Sequence, residues 1–397
     1  MQQNIVWLGD IGFPVGMAPV QKTYLICKAL VECGAHTTVI SRKGPHSPGR
    51  NPNIASQGRI DNIEYIYASG SPYRPDNPVV RTLLKFRGLV NEVVILFKMK
   101  RKGKLDAAIL HTNKFSSILY YRLLSKLFRF TLLMAYVELY SSITSRTNPL
   151  LLVNDYLYER YGFRLMDGIM PISDFLCDFV RDRNPALPIL KVPMITDFGR
   201  FEGVEKKSTE KYFLFCGSAL YIEVISFILS AFQAIPVADD VKLYLVSNGS
   251  DSQIRRLSET IGKCKKKNLI KVFSGISDEQ LTQLYKNACG LLIPLRPTVQ
   301  DTARFPHKLG EYLASGNPVI TTKVGEIPKY FSDQESALIA ENYNVEDFAK
   351  KMQFVISNPE ISASIGEKGR SVARLHFSYK DYGPRIIEFI ASVRPSS

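Results

Sequence analysis

The residues with the clearest chemical purpose run from Phe305 to Thr322, Phe-Pro-His-Lys-Leu-Gly-Glu-Tyr-Leu-Ala-Ser-Gly-Asn-Pro-Val-Ile-Thr-Thr. The order reads as a loop, a short helix, a tight Gly-Asn-Pro turn and a buried strand. Pro306 suits the first turn of a helix, where its missing N–H costs nothing. The N–H groups of His307, Lys308 and Leu309 are then expected to face whatever lies at the helix start. Lys308 adds a full charge. Oriented donors, the positive end of a helix dipole and a cation together make a phosphate site. Glu311 follows one turn later. A phosphate would repel its carboxylate, so another partner is expected, and a pair of ribose hydroxyls fits. The alternative, an ordinary helix–strand unit, leaves Pro-His-Lys and Glu311 without a packing purpose.

Two further residues stand where ligands meet an open α/β sheet, at the C-terminal ends of strands. His111 closes the apolar run Ala107-Ala-Ile-Leu and precedes Thr112-Asn-Lys114; Glu138 follows Leu132-Leu-Met-Ala-Tyr-Val. A core histidine and a solvated strand-end charge are the plainer readings. The first strand ends in Gly9-Asp-Ile-Gly-Phe-Pro-Val-Gly-Met-Ala18, a loop in which backbone can approach a ligand closely. Its glycine spacing does not match Gly-x-Gly-x-x-Gly, which speaks against a simple dinucleotide dehydrogenase. No Asp-x-Asp is present, since Asp239 and Asp240 are adjacent, so no metal is expected.

These residues need a scaffold, and the chain alternates short apolar runs with helical patterns, the mark of mainly parallel sheets. Strands are expected at 5–8, 37–41, 64–67, 107–111, 131–136 and 168–171, and again at 213–216, 242–247, 270–274, 290–293, 319–322 and 337–340. The extended stretch Leu187 to Asp197, with two prolines, suits a connection between two α/β halves.

The 397 residues are natural for two domains, and 45% apolar with 22% charged residues is the balance of a folded globular protein. No apolar run reaches the length of a membrane span, and no basic-then-apolar leader is seen, so a cytoplasmic protein is expected. The six cysteines form no Cys-x-x-Cys pair and read as reduced thiols. The formal charge is +14, and between Arg81 and Met134 twelve Lys and Arg residues stand against Glu92 and Asp106. Bulky apolar residues are threaded among them, Phe86, Phe97, Leu123 and Leu127 included. That composition suits docking on the inner face of an anionic membrane; two core helices with solvated basic faces are the plainer alternative. No nucleic-acid module is visible.

The second half of the Phe305 segment, with Glu311, Leu313, Ala314, Gly316, Pro318 and Val319, resembles the nucleotide-sugar site of glycosyltransferase family 4, whose members are retaining enzymes of the GT-B fold. The family's first Glu falls on Ala303. The resemblance implies two Rossmann-like domains facing a central cleft: 1–192 on the acceptor side, 193–375 on the nucleotide-sugar side, and 376–397 as a helix returning to the first domain. It places Phe305, Pro306, His307, Lys308, Leu309 and Glu311 on the donor. Gly16 then faces the donor diphosphate, Gly217 and Ser218 end the first strand of the second domain, and Gly275 with Ile276 meets the nucleobase. The basic residue that such families carry after Gly-Ser is absent from Ala219 to Ser226, and Lys308, Arg304 or Arg296 is the replacement. His111, Lys308 and Glu138 are the catalytic candidates. The implied activity is sugar transfer with retention from a nucleoside-diphosphate sugar to a glycan or lipid-linked acceptor, without a cofactor. A GT-B epimerase and a non-catalytic nucleotide-sugar-binding protein are the alternatives.

Overall fold

The computed structural model describes residues 3–16, 18–47, 53–236 and 241–393. Met17 and the Asp239-Asp240 pair lie outside the described residues. The chain divides into two compact units, one made of 1–195 with 379–397 and the other of 196–378.

In the first unit, β1 (Asn4–Leu8), β2 (His36–Ser41), β3 (Gln57–Ile60), β4 (Ile63–Tyr67), β5 (Ala107–Leu110), β6 (Thr131–Tyr136) and β7 (Gly168–Pro171) form one sheet, ordered β3-β4-β2-β1-β5-β6-β7. Only β3 and β4 pair antiparallel. β5, β6 and β7 are buried at every position, which is why they read as continuous apolar runs. β3 was not expected: it is exposed throughout, so it carries no apolar signal. Asp61 and Asn62, both at positive φ, close its hairpin with β4. The helix Pro149–Tyr161 was also not expected. Asn148 caps it and Pro149 starts it, but its Leu150-Leu-Leu-Val153 run is exposed and shows no buried stripe.

Strand order in this sheet reverses between β1 and β5. There the His111 N–H donates to the Leu8 carbonyl at 2.9 Å. Gly9 sits at φ +145°, and a Cβ on it would stand 2.3 Å from the His111 carbonyl oxygen. Only glycine lets the first loop leave the sheet beside His111. The unit is completed by the helix Tyr382–Ser392, whose Tyr382, Ile386 and Ile390 are buried against the helix Ala18–Glu32. Each isoleucine contributes about 2 kcal/mol by leaving water.

The second unit holds β8 (Lys211–Cys216), β9 (Val241–Val246), β10 (Ile270–Phe273), β11 (Gly290–Ile293), β12 (Val319–Thr322) and β13 (Leu338–Ala340), ordered β10-β9-β8-β11-β12-β13. All neighbours are parallel. The order reverses between β8 and β11, the position at which open α/β sheets generally meet their ligands. Its core joins Phe213, Ile225, Phe232, Leu292 and Phe348. All six cysteines are free. Among the described residues no helix is long and apolar enough to cross a membrane.

Candidate functional site

In the second unit, the helix His307–Ser315 is held by its buried Leu309, Tyr312 and Leu313 and stopped by Gly316 at φ +80°. Pro306 is its N-cap and not its first helical residue. The Leu309 N–H, expected to face a ligand, donates instead to the Pro306 carbonyl at 3.1 Å. The helix starts with one tight turn, which uses up that donor.

Lys308 and Glu311, one turn apart, meet directly. Lys308 Nζ donates to Glu311 Oε2 at 2.8 Å and to the Tyr285 hydroxyl at 3.1 Å. Tyr285 in turn donates to Glu311 Oε2 at 3.1 Å. Arg200 Nη1 reaches Glu311 Oε1 at 3.3 Å, while its Nε donates to Thr282 Oγ1 at 2.8 Å and its Nη2 to the Asp278 carbonyl at 3.0 Å. Burial works against ionisation of Glu311, but the Lys308 and Arg200 charges outweigh it and hold the carboxyl below the usual range. Burial likewise opposes the Lys308 charge, and Glu311 overcomes it, leaving the ammonium above the usual lysine range. The cluster therefore carries two cations and one anion at neutral pH. A carboxylate offers about four lone-pair positions. Three are taken, so Glu311 as it stands has room for one ligand hydroxyl, not the expected pair.

The neighbouring strand ends are tied to this helix. The Cys216 N–H donates to the Tyr312 hydroxyl at 2.7 Å, which sets Gly217 and Ser218 beside the cluster. Asn248 organises the loops: its carbonyl accepts from Ser218 Oγ at 3.3 Å and its side chain from the Gly275 N–H at 3.1 Å. Gly275, at φ +65°, is exposed, and Ile276 beside it is half-buried. Ala303 is fully buried. The carboxylate of this segment is Asp301, also buried, which accepts from Arg296 Nε at 2.9 Å and pairs with Arg304. Burial opposes its charge, and the Arg296 hydrogen bonds and the Arg304 charge hold it ionised below the usual range. Arg304 lies over the Tyr221 ring, 5.3 Å from its centre, and donates to its hydroxyl at 3.3 Å. A guanidinium thus stands beside the Ala219–Ser226 stretch that lacks a basic residue of its own.

In the first unit, His111 lines a cavity of about 530 Å³ with Asp10, Lys43, Lys85, Lys114 and Tyr140. Burial, helped by the Lys22 charge, lowers the His111 pKa to about 4, so the imidazole is neutral at pH 7. Lys22 is itself buried; its Nζ donates to the Val192 carbonyl at 3.3 Å, and burial lowers its pKa to about 7. Glu138 does not line this cavity. Its charge contributes, after burial, to raising the pKa of Tyr140, which does. Gly16 is exposed and packs against Val20, where a Cβ would come within 2.4 Å of Cγ2. The loop before it is braced from below: His46 Nε2 contacts the Gly12 carbonyl at 2.8 Å, and the Tyr67 hydroxyl donates to the Phe13 carbonyl at 2.7 Å. Among the described residues no His, Cys, Asp or Glu group could hold a metal ion.

Residues 200–372 match the family model of glycosyl transferases group 1. No curated protein sequence matches the chain. Many solved structures are similar, among them three that cover almost the whole length. Sucrose-phosphate synthase from Thermosynechococcus elongatus is 16% identical, covers 99% of both chains and gives a TM-score of 0.79. A glycosyltransferase from Rickettsia africae is 16% identical, covers 100% of both and gives 0.72. Anabaena HepE, solved in complex with UDP-glucose, is 12% identical, covers 98% of this chain and 99% of that one, and gives 0.70. The chain has the GT-B fold. Within this GT-B chain the matched segment spans Arg200, Tyr285, Lys308 and Glu311, whereas His111 and its cavity lie outside it. Arg200 and Tyr285 escaped the sequence reading. The one signal was an arginine set between Phe198 and Phe201 in an otherwise apolar turn.

Proposed function

We propose that this protein is a family 4 glycosyltransferase that moves a sugar from a nucleoside diphosphate to an acceptor hydroxyl with retention. The observation that carries the reading is the Lys308–Glu311–Arg200–Tyr285 cluster at a helix start, inside the segment that matches the group 1 family model. Diphosphate binding draws Lys308 off Glu311, and the freed Oε2 then accepts the second ribose hydroxyl. Arg200 stays on Oε1 and keeps the carboxylate ionised. Gly217, Ser218 and Gly275 offer backbone close to the donor, and Ile276 meets the base. The bond from the sugar's anomeric carbon to the diphosphate breaks as the acceptor oxygen bonds to that carbon on the same face, and the acceptor proton passes to the departing phosphate oxygen. Lys308 and Arg304 stabilise the charge that develops on the diphosphate. Neutral His111 donates its ring N–H to the acceptor oxygen and orients it, leaving the acceptor proton for the departing phosphate, and Glu138 acts on that side through Tyr140.

The acceptor is read as a glycan or lipid-linked precursor at an anionic membrane surface. The helix Pro78–Arg101 exposes Val79, Leu83, Phe86, Val90, Val94 and Phe97, spaced by three and four. Leu119, Leu123 and Leu127 of the helix Phe115–Phe128 are exposed as well, and an apolar groove of about 410 Å³ runs beside Phe97 and Leu127. Large apolar stripes flanked by lysines suit a lipid interface. Lys100 is not part of it, since its Nζ donates to the Arg129 carbonyl at 2.8 Å.

Buried Ala303 favours a second reading, a nucleotide-sugar-binding protein without turnover. Incubation with radiolabelled nucleotide sugars and membrane extract separates the two: transfer of label to an extractable or polymeric product supports the transferase, and binding without transfer or release supports the second reading. A thermal-shift screen chooses the donor, because a ligand at a hundred times its Kd stabilises by about 2.7 kcal/mol.

A further inference from the structure

The His111 cavity is far more basic than a site for a neutral sugar requires. Lys43, Arg74, Arg81, Lys85 and Lys114 line it. Among the described residues Asp10 is the one carboxylate lining it, 3.3 Å from Lys43. Among the described residues Lys85, Lys114, Arg74 and Arg81 enter no ion pair. The crowding is felt by the group in the middle: Lys114 is drawn below the usual lysine range, first by the Lys43 charge and then by burial, with Lys85 and Arg42 adding to it and Asp10 opposing.

The fold enforces this crowding. A Cβ on Gly88 would stand 2.2 Å from the Arg42 carbonyl, so the helix Pro78–Arg101 lies directly on the backbone that carries Lys43. Lys85 and Arg81 stand about one and two turns before Gly88, on the same side of the helix. Arg42 itself is not available to a ligand. Its Nε donates to the fully buried Glu92 at 2.9 Å, and Tyr121 donates to the other Glu92 oxygen at 2.7 Å. That buried pair neutralises Arg42 and leaves the charges of Lys43, Lys85 and Lys114, which do line the cavity, uncompensated by Glu92. The same helix carries the exposed apolar stripe from Val79 to Phe97.

We propose that this cavity binds a phosphate-bearing acceptor, its anionic end held by Lys43, Lys85 and Lys114 and the hydroxyl to be glycosylated placed at His111. The assignment rests on the transferase reading above and names its acceptor class, a sugar phosphate or a lipid-linked phosphate or diphosphate. Charge-assisted hydrogen bonds from three ammonium groups give such an end its affinity, and the cavity discriminates against uncharged sugars.

The test is calorimetric titration of the full-length protein, with excess UDP present, using inorganic pyrophosphate, glucose 6-phosphate, glucose and farnesyl diphosphate. At least one phosphate-bearing probe should bind and glucose should not, with affinity falling as salt rises. The K43S/K85S/K114S variant should bind that probe about tenfold more weakly or worse, and should keep its affinity for UDP. Tighter binding of farnesyl diphosphate than of pyrophosphate assigns the lipid-linked source; preference for glucose 6-phosphate assigns the soluble one. Wild-type protein that binds none of the three anions, or a variant that binds them as tightly as wild type, would overturn the assignment. Should the triple variant not fold, K85S and K114S singly, both at solvent-facing positions, carry the same comparison. A wild-type protein that neither binds UDP nor transfers sugar would strike the transferase reading, while anion binding lost in K43S/K85S/K114S would still establish the cavity as an anion site.

Discussion

Glu311→Gln removes one charge and almost no volume. In the folded protein it leaves Lys308 and Arg200 without their counter-charge, at side-chain exposures of 31% and 25%. Exposed pairs are worth about 0–1 kcal/mol and breaking a buried one costs about 3–5, so these half-buried groups place the loss at roughly 2–3 kcal/mol at pH 7. The pH dependence follows from the sign of the shift. Glu311 is held below the usual carboxylate range in the fold, so its stabilisation is full above the unfolded pKa, about 4.3, and disappears as pH falls through the folded value. Wild type and variant should therefore differ most at neutral pH and converge in acid. Scanning calorimetry at several pH values reads the stability, and titration with UDP and 2′-deoxy-UDP reads the ligand. Wild type should prefer UDP, and Glu311→Ala should lose most of that preference. A Glu311→Gln protein that melts as wild type does at pH 7 would refute the electrostatic argument. Undiminished preference in Glu311→Ala would remove the carboxylate from the ribose.

Lys308→Ala should slow turnover by about a hundredfold with the fold intact, because one cation facing the departing diphosphate is lost; unchanged steady-state kinetics would exclude it. Lys22→Met should raise the melting temperature at neutral pH. Burial depresses the Lys22 pKa from 10.5 to about 7, so the unfolded chain binds the extra proton between those values. The wild type accordingly gains stability as pH rises from 7 towards 10, and the two melting temperatures should draw together above that window. Binding to anionic vesicles should fall with salt and fall further when Lys98, Arg101, Lys102 and Lys104 become Ser; indifference to vesicles at low salt would discard the membrane reading.

The sheets were legible because buried parallel strands are written as uninterrupted apolar runs, and β6, β7, β11 and β12 have the expected limits. β3 was illegible for the converse reason: an exposed edge strand held by backbone pairing leaves no pattern. Lys308 and Glu311 could be read together since they are three residues apart on one helix. Arg200 and Tyr285, 111 and 26 residues from Glu311, come to it only through the fold. The basic stretch from Arg81 to Arg129 shows a different limit. Periodicity announces two apolar stripes but not what covers them, and Phe86, Leu123 and Leu127 lie uncovered, while Arg81, Lys85 and Lys114 turn into a cavity with Lys43.

The chain leaves the first unit at Ile195 and re-enters it at Tyr379, after the whole of the second. The second unit is contiguous in the chain, whereas the first unit's core is complete only once Tyr379 and the residues after it have been made. Until Tyr382, Ile386 and Ile390 arrive, the apolar side of the helix Ala18–Glu32 that they cover stays open to water and to chaperones. A chain that stalls before Tyr382 therefore lacks these three side chains and leaves part of the first unit's core uncovered.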